Sequence, residues 1–475
     1  MRNKKQFQLL EMLAEKRNML TFKDCLATIP IFRFVYDNMQ TCSSLGRKEL
    51  LQSKFITEVT LLESTFLEIE KVLLWQNANE KALSKVTQLL SSVQDIFATL
   101  ARLQHSDALD DIELFEIKKS ALAMNELRQI LGSTAFSVFE LHEVKEVIEI
   151  LDPEHSSLPH FYIYSAYSKE LASLRNKCST TTSQEEKEDL LWQISKLENK
   201  IRQNLVKKLY PFADQLEQNL HFLAKLDLLL AKAAWALDWN CCKPEISDTK
   251  TSYTGLVHPM VAQRLKKENT EFQPVNMELH QEPCLITGAN MTGKSIFLRA
   301  VAFSQWMFQF GFYVPAQKAS IIPVEKIHFV SGDSDTERTG LSSFVNEIFH
   351  IHHILQEVKE DKKMLVLVDE FARTTNPKEG SALVTAFLEM MNCKNSICLV
   401  TTHYSNVEGN FRRLRVKGIQ WNKIEHIKTH PQELNRYIDY QLEDCHEKTA
   451  PEEAVKIAEI LAIDEPFISL VKKYL

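Results

Sequence analysis

The sequence predicts an α + α/β chain, with an all-α N-terminal core carrying a helical hairpin arm, then an α/β domain on a mostly parallel sheet, then a small helical tail. Two observations predict it. Glycine and proline are scarce, 11 and 14 in 475 residues, and the first half holds few of either while apolar residues recur there every three or four positions. Beyond residue 240 the pattern changes to short β-type runs that alternate with helical stretches, the signature of strands covered by helices. The expected boundaries are 1–240 for the helical region with its arm over about 164–236, 241–430 for the α/β domain and 431–475 for the tail.

In the helical region, Leu51–Trp75 places Phe55, Val59, Leu62, Phe66, Ile69 and Leu73 on one stripe. Similar stripes run through Lys81–Leu103, Asp111–Leu131 and Phe139–Leu151, and Leu151-Asp152-Pro153 marks a break. Residues 164–236 read as a hairpin. One arm runs from Tyr164 to Asn176, the polar run Ser179–Gln184 turns the chain, and a charged helix returns. In it Leu191, Ile194, Leu197, Ile201 and Leu205 form a short coiled-coil seam. Lys200, Arg202, Lys207 and Lys208 are the arm's basic cluster. The run CCKPEISDTKTS at 241–252 reads as a linker. Strand-like runs follow at 255–261, 283–288, 318–324, 326–332, 363–370 and 396–404.

Bulk properties narrow the classes and weigh mildly against tight nonspecific nucleic-acid binding. The net charge of −7 provides none of the basic surplus that tight nonspecific nucleic-acid binding draws on. The opening MRNKKQFQLLEML has no apolar core followed by small residues, so it does not read as a signal peptide. The longest apolar stretch, Leu226–Leu237, is interrupted by Lys232 and falls short of the ~20 residues of a membrane span. The nine cysteines are scattered with no C-x-x-C, as expected of reduced thiols in a cytoplasm.

The chemistry gathers in three runs. Cys284–Thr287 is a short buried strand leading into Gly288-Ala289-Asn290-Met291-Thr292-Gly293-Lys294-Ser295, and a helix follows. This is G-x-x-x-x-G-K-[ST] in its strand–loop–helix setting. Glycines let backbone N–H groups converge on phosphate oxygens, and the helix start adds positive potential. Lys294 would reach the β- and γ-phosphates of ATP, and Ser295 would offer its hydroxyl to Mg²⁺. The second run, Met364–Glu370, is a buried strand ending in two acids, which is costly unless they act. Asp369 would hold the Mg²⁺ shell and Glu370 would orient or deprotonate the attacking water. The third, Cys398–His403, brings His403 to a strand end where it could sense the γ-phosphate. An ATP-binding P-loop ATPase follows, with ATP and Mg²⁺ as ligands. The intact set Lys294, Ser295, Asp369, Glu370 and His403 speaks against an adaptor with a degraded site.

These runs together resemble the ABC-type ATPase domain of the MutS family of DNA mismatch repair proteins. GANMTGKS is similar to the family's GPNMGGKS, and the pair Asn290-Met291 is not generic to phosphate loops. HPMV at His258 resembles the family's His-Pro strand. FQPVNMEL, from Phe272, is similar to the segment whose aromatic stacks on adenine. Phe312–Ile321 resembles the "FVPA" stretch and LVDEFARTT the "DEIGRGT" run. Ser331–Ile348 resembles the signature whose serine–threonine pair, here Ser342 and Ser343, reaches the partner subunit's nucleotide. TTHYSNV resembles "THY", and Ala450–Leu475 is similar to a C-terminal helix-turn-helix that clasps the other subunit.

The resemblance implies a head-to-tail homodimer, or a heterodimer with a related subunit, in which ATP closes the interface. It also implies DNA as partner, in mismatch repair or recombination, through a clamp-like helical region. The chain departs from the pattern at Ala289, Thr292, Asn346, Ala372, Thr374 and Asn376; around Ala372 the family carries glycine and serine. It resembles a short form without the N-terminal mismatch-recognition and connector domains. The letters of the family's Phe-x-Glu wedge occur only inside helical stretches, at Phe66-Leu67-Glu68 and Phe387-Leu388-Glu389. The alternative expectation is an ATP-driven remodelling or reactivating factor for a protein partner, with little DNA binding.

Overall fold

The computed structural model describes residues 20–132, 141–155, 161–288, 292–331, 343–392, 395–404, 406–424, 434–445, 454–461 and 463–474. The chain divides into two compact units, one of Met1–Asp37, Lys54–Phe66 and Trp235–Leu475, the other of Asn38–Ser53 and Leu67–Ala234.

Helices fill the first half: α1 (Phe22–Thr28), α2 (Pro30–Asn38), α3 (Ser44–Gln52), α4 (Val59–Ala78), α5 (Glu80–Ser92), α6 (Phe97–Gln104), α7 (Asp111–Leu131), α8 (Lys145–Leu151), α9 (Lys169–Thr180), α10 (Gln184–Leu209) and α11 (Ala213–Asp238). Asp110 and Glu113 cap α7 reciprocally, which fixes its start at Asp111, where the predicted stripe begins. The stripe predicted over Leu51–Trp75 is cut: α3 ends at Gln52, and the chain runs extended to α4. There Phe55 N–H bonds Leu20 O at 2.8 Å and Ile56 N–H bonds Gln309 O at 2.7 Å. Tertiary partners for the backbone thus override helix periodicity. The buried face of α4 is Leu62, Phe66, Ile69 and Val72, with Val59 exposed. Lys81–Leu103 is likewise two helices, and Phe139 lies outside the described residues.

The hairpin forms with its turn at Thr181–Ser183, as α9 packs along α10. Ile194, Ile201 and Leu205 are buried in the seam, whereas Leu191 and its neighbour Trp192 are exposed. A single 3₁₀ turn containing Pro211 joins α10 to α11, so the two run on as one helical rod. In the same unit the Asp227 carboxylate accepts the N–H groups of Cys42 and Ser43, each at 2.7 Å.

The other unit holds two sheets. The smaller is ordered β1 (Glu245–Ile246), β5 (Lys318–Ile321), β2 (Lys250–Leu256), β3 (Val275–His280). The run expected to be a linker therefore contributes β1 and the start of β2. HPMV is not a strand: Pro259 opens α12 (Pro259–Lys267), where its fixed φ and missing N–H suit a first helical turn.

The larger sheet is ordered β10 (Ile438–Asp444), β9 (Arg412–Ile419), β4 (Pro283–Thr287), β8 (Ser396–Thr401), β7 (Met364–Asp369), β6 (Lys326–Ser331), all parallel except β10. β4, β7 and β8 are apolar and buried, as strands covered on both faces must be. Around them lie α13 (Lys294–Gln309), α14 (Ser343–Val358), α15 (Pro377–Met390), the short α16 (Trp421–Ile424), α17 (Ala454–Ile460) and α18 (Glu465–Tyr474). Helix α13 is buried along nearly its whole length. Aromatic residues from the chain's start enclose its far end: Phe32 lies 5.4 Å from Trp306 and Phe55 5.5 Å from Trp306, ring centre to ring centre, edge to face. No described helix is long and apolar enough to cross a membrane.

Candidate nucleotide site

Strand order builds the site. β8 lies between β4, which carries the phosphate loop, and β7, which ends in the acids, so three loops converge at the carboxyl ends of parallel strands. Gly293 starts α13 at φ +83°, a left-handed conformation that glycine adopts freely. A Cβ there would also stand 3.0 Å from the Tyr440 ring. Lys294 Nζ donates to Gly288 O at 2.6 Å, so the ammonium lies back across the loop. Burial pushes that ammonium below the ordinary lysine value, opposed by the Glu370 and Asp369 carboxylates.

Ser295 Oγ donates to Asp369 Oδ1 at 2.9 Å. Thr401 Oγ1 donates to the same Oδ1 at 2.8 Å and accepts the Glu370 N–H at 2.9 Å. One threonine at the end of β8 therefore holds both the Asp369 carboxylate and the Glu370 backbone. The Glu370 carboxylate lies 3.2 Å from the Arg373 guanidinium. The oxygens of Ser295 and Asp369 suit Mg²⁺, a hard ion held by one or two carboxylates together with phosphate oxygens and water. Among the described residues no three His, Cys, Asp or Glu side chains gather as a metal cage.

The structure thus brings Gly288, Gly293, Lys294, Ser295, Asp369 and Glu370 together. Thr292 is buried in the loop. His403 lies two residues beyond the end of β8 and packs on Tyr404, ring centres 4.5 Å apart. The segment carrying Phe272 is tied to β10: Gln273 Nε2 donates to Asp439 Oδ1 at 2.9 Å, and Gln273 Oε1 accepts Tyr440 N–H at 3.1 Å. Ala289, Asn290, Met291 and Ser342 lie outside the described residues, and Ser343 begins α14.

Sequence reasoning missed Thr401, Tyr440, Glu347 and Tyr404. A polar residue closing the buried run SICLVT was a usable signal for Thr401. The pattern IDYQLED carries no hint that Tyr440 returns to the phosphate loop. Glu347 is buried on α14 and accepts Ala372 N–H at 3.2 Å. Burial pushes its carboxyl up to about 7, against the pull of Ala372 N–H and the Arg373 charge.

A stability prediction follows. The ordinary carboxyl value is 4.5, so below it both folded and unfolded forms are protonated. Between pH 4.5 and about 7 the unfolded form ionises while the folded form keeps its proton, so stability falls across that window by on the order of 2 kcal/mol and levels off above it. In thermal melts Glu347→Gln should gain stability over the parent chain as pH rises from 4.5 to 8. A difference that is flat with pH would contradict the buried acid.

Comparison with known proteins agrees with this geometry. Residues 284–473 match the family described as MutS domain V. The chain carries a MutS domain V. It is an ATPase domain, and nucleotide binding goes with it. The DNA mismatch repair protein MutS of Thermus aquaticus is 36% identical over 192 residues, which is 40% of this chain and 23% of that protein. An endonuclease MutS2 of Pediococcus pentosaceus is 32% identical over 213 residues, 44% of this chain and 26% of the relative. A MutS2 of Acetivibrio thermocellus is 31% identical over the same length, again 26% of the relative. The chain spans about a quarter of the length of the curated relatives it matches.

Proposed function

We propose that this chain is a MutS-type ATP switch that works as a pair and uses ATP binding and hydrolysis to move a helical clamp-like region. The observation that carries it is the chain of bonds from Ser295 through Asp369 to Thr401 and the Glu370 amide. In this reading the amides of Gly288–Gly293 cradle the phosphates, Lys294 leaves the Gly288 carbonyl to meet the β- and γ-phosphates, and Ser295 and Asp369 hold Mg²⁺. The ion would balance phosphate charge. Glu370 orients the attacking water and takes its proton as the bond between the γ-phosphorus and the bridging oxygen breaks. His403 senses the γ-phosphate, and Phe272 packs on the base with Tyr440 nearby.

Ser342 and Ser343 of one copy reach the nucleotide of the other, in a homodimer or a pair with a related subunit. The exposed Ile463, Phe467, Leu470 and Tyr474 of the tail support a contact between copies. The free cysteines among the described residues fit a cytoplasmic setting.

DNA is the first partner. The relatives' names support it, as do Lys200, Lys207 and Lys208, all exposed on α10. In a salt titration, binding to branched or mismatched DNA should weaken as log K against log salt, with a slope near −0.9 per phosphate contacted. No binding at low ionic strength removes DNA as the partner.

A specific observation favours the second reading, remodelling of a protein partner. Arg202, the fourth member of the basic cluster, is taken up by Asp111 at 2.7 and 3.0 Å. Leu191 and Trp192 are exposed on the same helix as Glu185, Glu186, Glu188 and Asp189. An acidic, apolar surface suits protein better than phosphate. Recovery of one stoichiometric protein with the ATP-trapped form selects this reading, and recovery of DNA alone rejects it.

A further inference from the structure

We infer that Glu347 is a positioning residue that holds the turn carrying Glu370 and ties it to the helix beginning at Ser343. The inference rests on the proposed role of Glu370. Two non-glycine residues just after β7 adopt left-handed backbone, Glu370 at φ +52° and Ala372 at φ +59°. Each such residue is strained and persists only where its surroundings over-determine it.

Three side chains do so here, one from α14 and two from the end of β8 and the segment that follows it. Thr401 of β8 accepts the Glu370 N–H at 2.9 Å. Glu347 of α14 accepts the Ala372 N–H at 3.2 Å. The Tyr404 hydroxyl donates to the Ala372 carbonyl. The Ala372 residue is therefore gripped at both its amide and its carbonyl, one turn from the acid. Gly380 leaves the room Tyr404 needs, because a Cβ there would come within 2.4 Å of the Tyr404 ring.

Glu347 differs from the other two grips. It sits four residues beyond the start of a helix whose first residue is Ser343. Its second oxygen, Oε1, is buried and finds no hydrogen-bond partner among the described residues. A carboxylate half used in a closed site is costly to keep, so a purely structural bond to one amide is a poor reason for it. A side chain that joins the serine-bearing helix to the Glu370 turn is a better one. A shift of α14 would be transmitted to the carboxylate that orients water, where misplacement by about 1 Å costs on the order of 10²-fold in rate.

The test uses the full chain. Glu347→Ala should lower kcat for ATP at least tenfold while KM and the affinity for a fluorescent ATP analogue stay within threefold. Glu347→Gln keeps an acceptor oxygen and should recover most of kcat. Glu347→Asp draws the acceptor back by one methylene and should fall between them. Adding Ala372→Gly to Glu347→Ala relieves the left-handed strain and should restore part of the lost kcat, which a generally damaged fold would not allow.

An unchanged kcat in Glu347→Ala overturns the inference. So does a Gln variant as slow as the Ala variant, or a loss of nucleotide affinity in step with kcat. If Glu347→Ala does not fold, the Asp and Gln variants decide between the same outcomes. A parent chain without ATP turnover would instead overturn the proposed function, so the two failures are distinguishable.

Discussion

Glu370→Gln is expected to lower ATP turnover by about 10²- to 10⁴-fold, the usual contribution of a positioned general base. The replacement keeps the shape of the side chain and leaves intact the backbone bond from Glu370 N–H to Thr401. Lys294, Ser295 and Asp369 are untouched, so nucleotide should still bind. The variant should therefore hold ATP, and gel filtration with ATP and Mg²⁺ should show a longer-lived pair than the parent chain. Steady-state turnover and the ATP content of the eluted peak are the readouts. Turnover within twofold of the parent would remove Glu370 from the reaction.

The largest expected effect on stability lies in the helical unit. Lys118 and Asp152 are both buried, their side chains 0% and 2% exposed, and pair at 3.0 Å. Lys118 also donates to the Tyr164 hydroxyl at 2.9 Å. The triad joins α7, the end of α8 and the segment before α9. Lys118→Ala leaves the Asp152 carboxylate buried without its cation, which costs about 3–5 kcal/mol. Replacing both partners, Lys118→Met with Asp152→Leu, should recover much of that loss, because the desolvation of two charges disappears with the pair. Urea unfolding followed by far-UV circular dichroism measures both. A loss below about 1 kcal/mol in Lys118→Ala would mean that water reaches the pair.

Much of the site was legible because its chemistry is local. The glycines and Lys294 fall within the single run Gly288–Ser295, and the acids close a run of apolar residues that reads as a buried strand. His403 was singled out by the same logic one strand on, and the structure places it after β8 against the Tyr404 ring. What was not legible depends on contacts between distant segments. Thr401 matters because β8 lies between β4 and β7, and strand order is not written in any one strand. Ala372 reads only as a departure, in a loop where the resemblance expects glycine and serine, until its φ of +59° and the grips of Glu347 and Tyr404 are seen.

The fold shows the same division. Asp110 and Glu113 announce the start of α7 because capping is local. The break after Gln52 carries no glycine or proline; the bonds to Leu20 and Gln309 and the bridge between Lys54 and Thr21 hold the chain extended there. Residues 22–37 belong with the ATPase unit because Phe22 and Phe32 pack on Phe310, at 5.6 and 5.4 Å. That packing links segments far apart in sequence, which no periodicity reports.

The central claim is that a triphosphate binds across the Gly288–Ser295 loop with its metal against Asp369. Isothermal titration of the purified chain with ATP, with and without Mg²⁺, tests it most directly. Saturable, Mg²⁺-enhanced binding that Lys294→Ala weakens by at least tenfold is the predicted result. Heats that do not saturate in either condition, or binding that Lys294→Ala leaves unchanged, would contradict it.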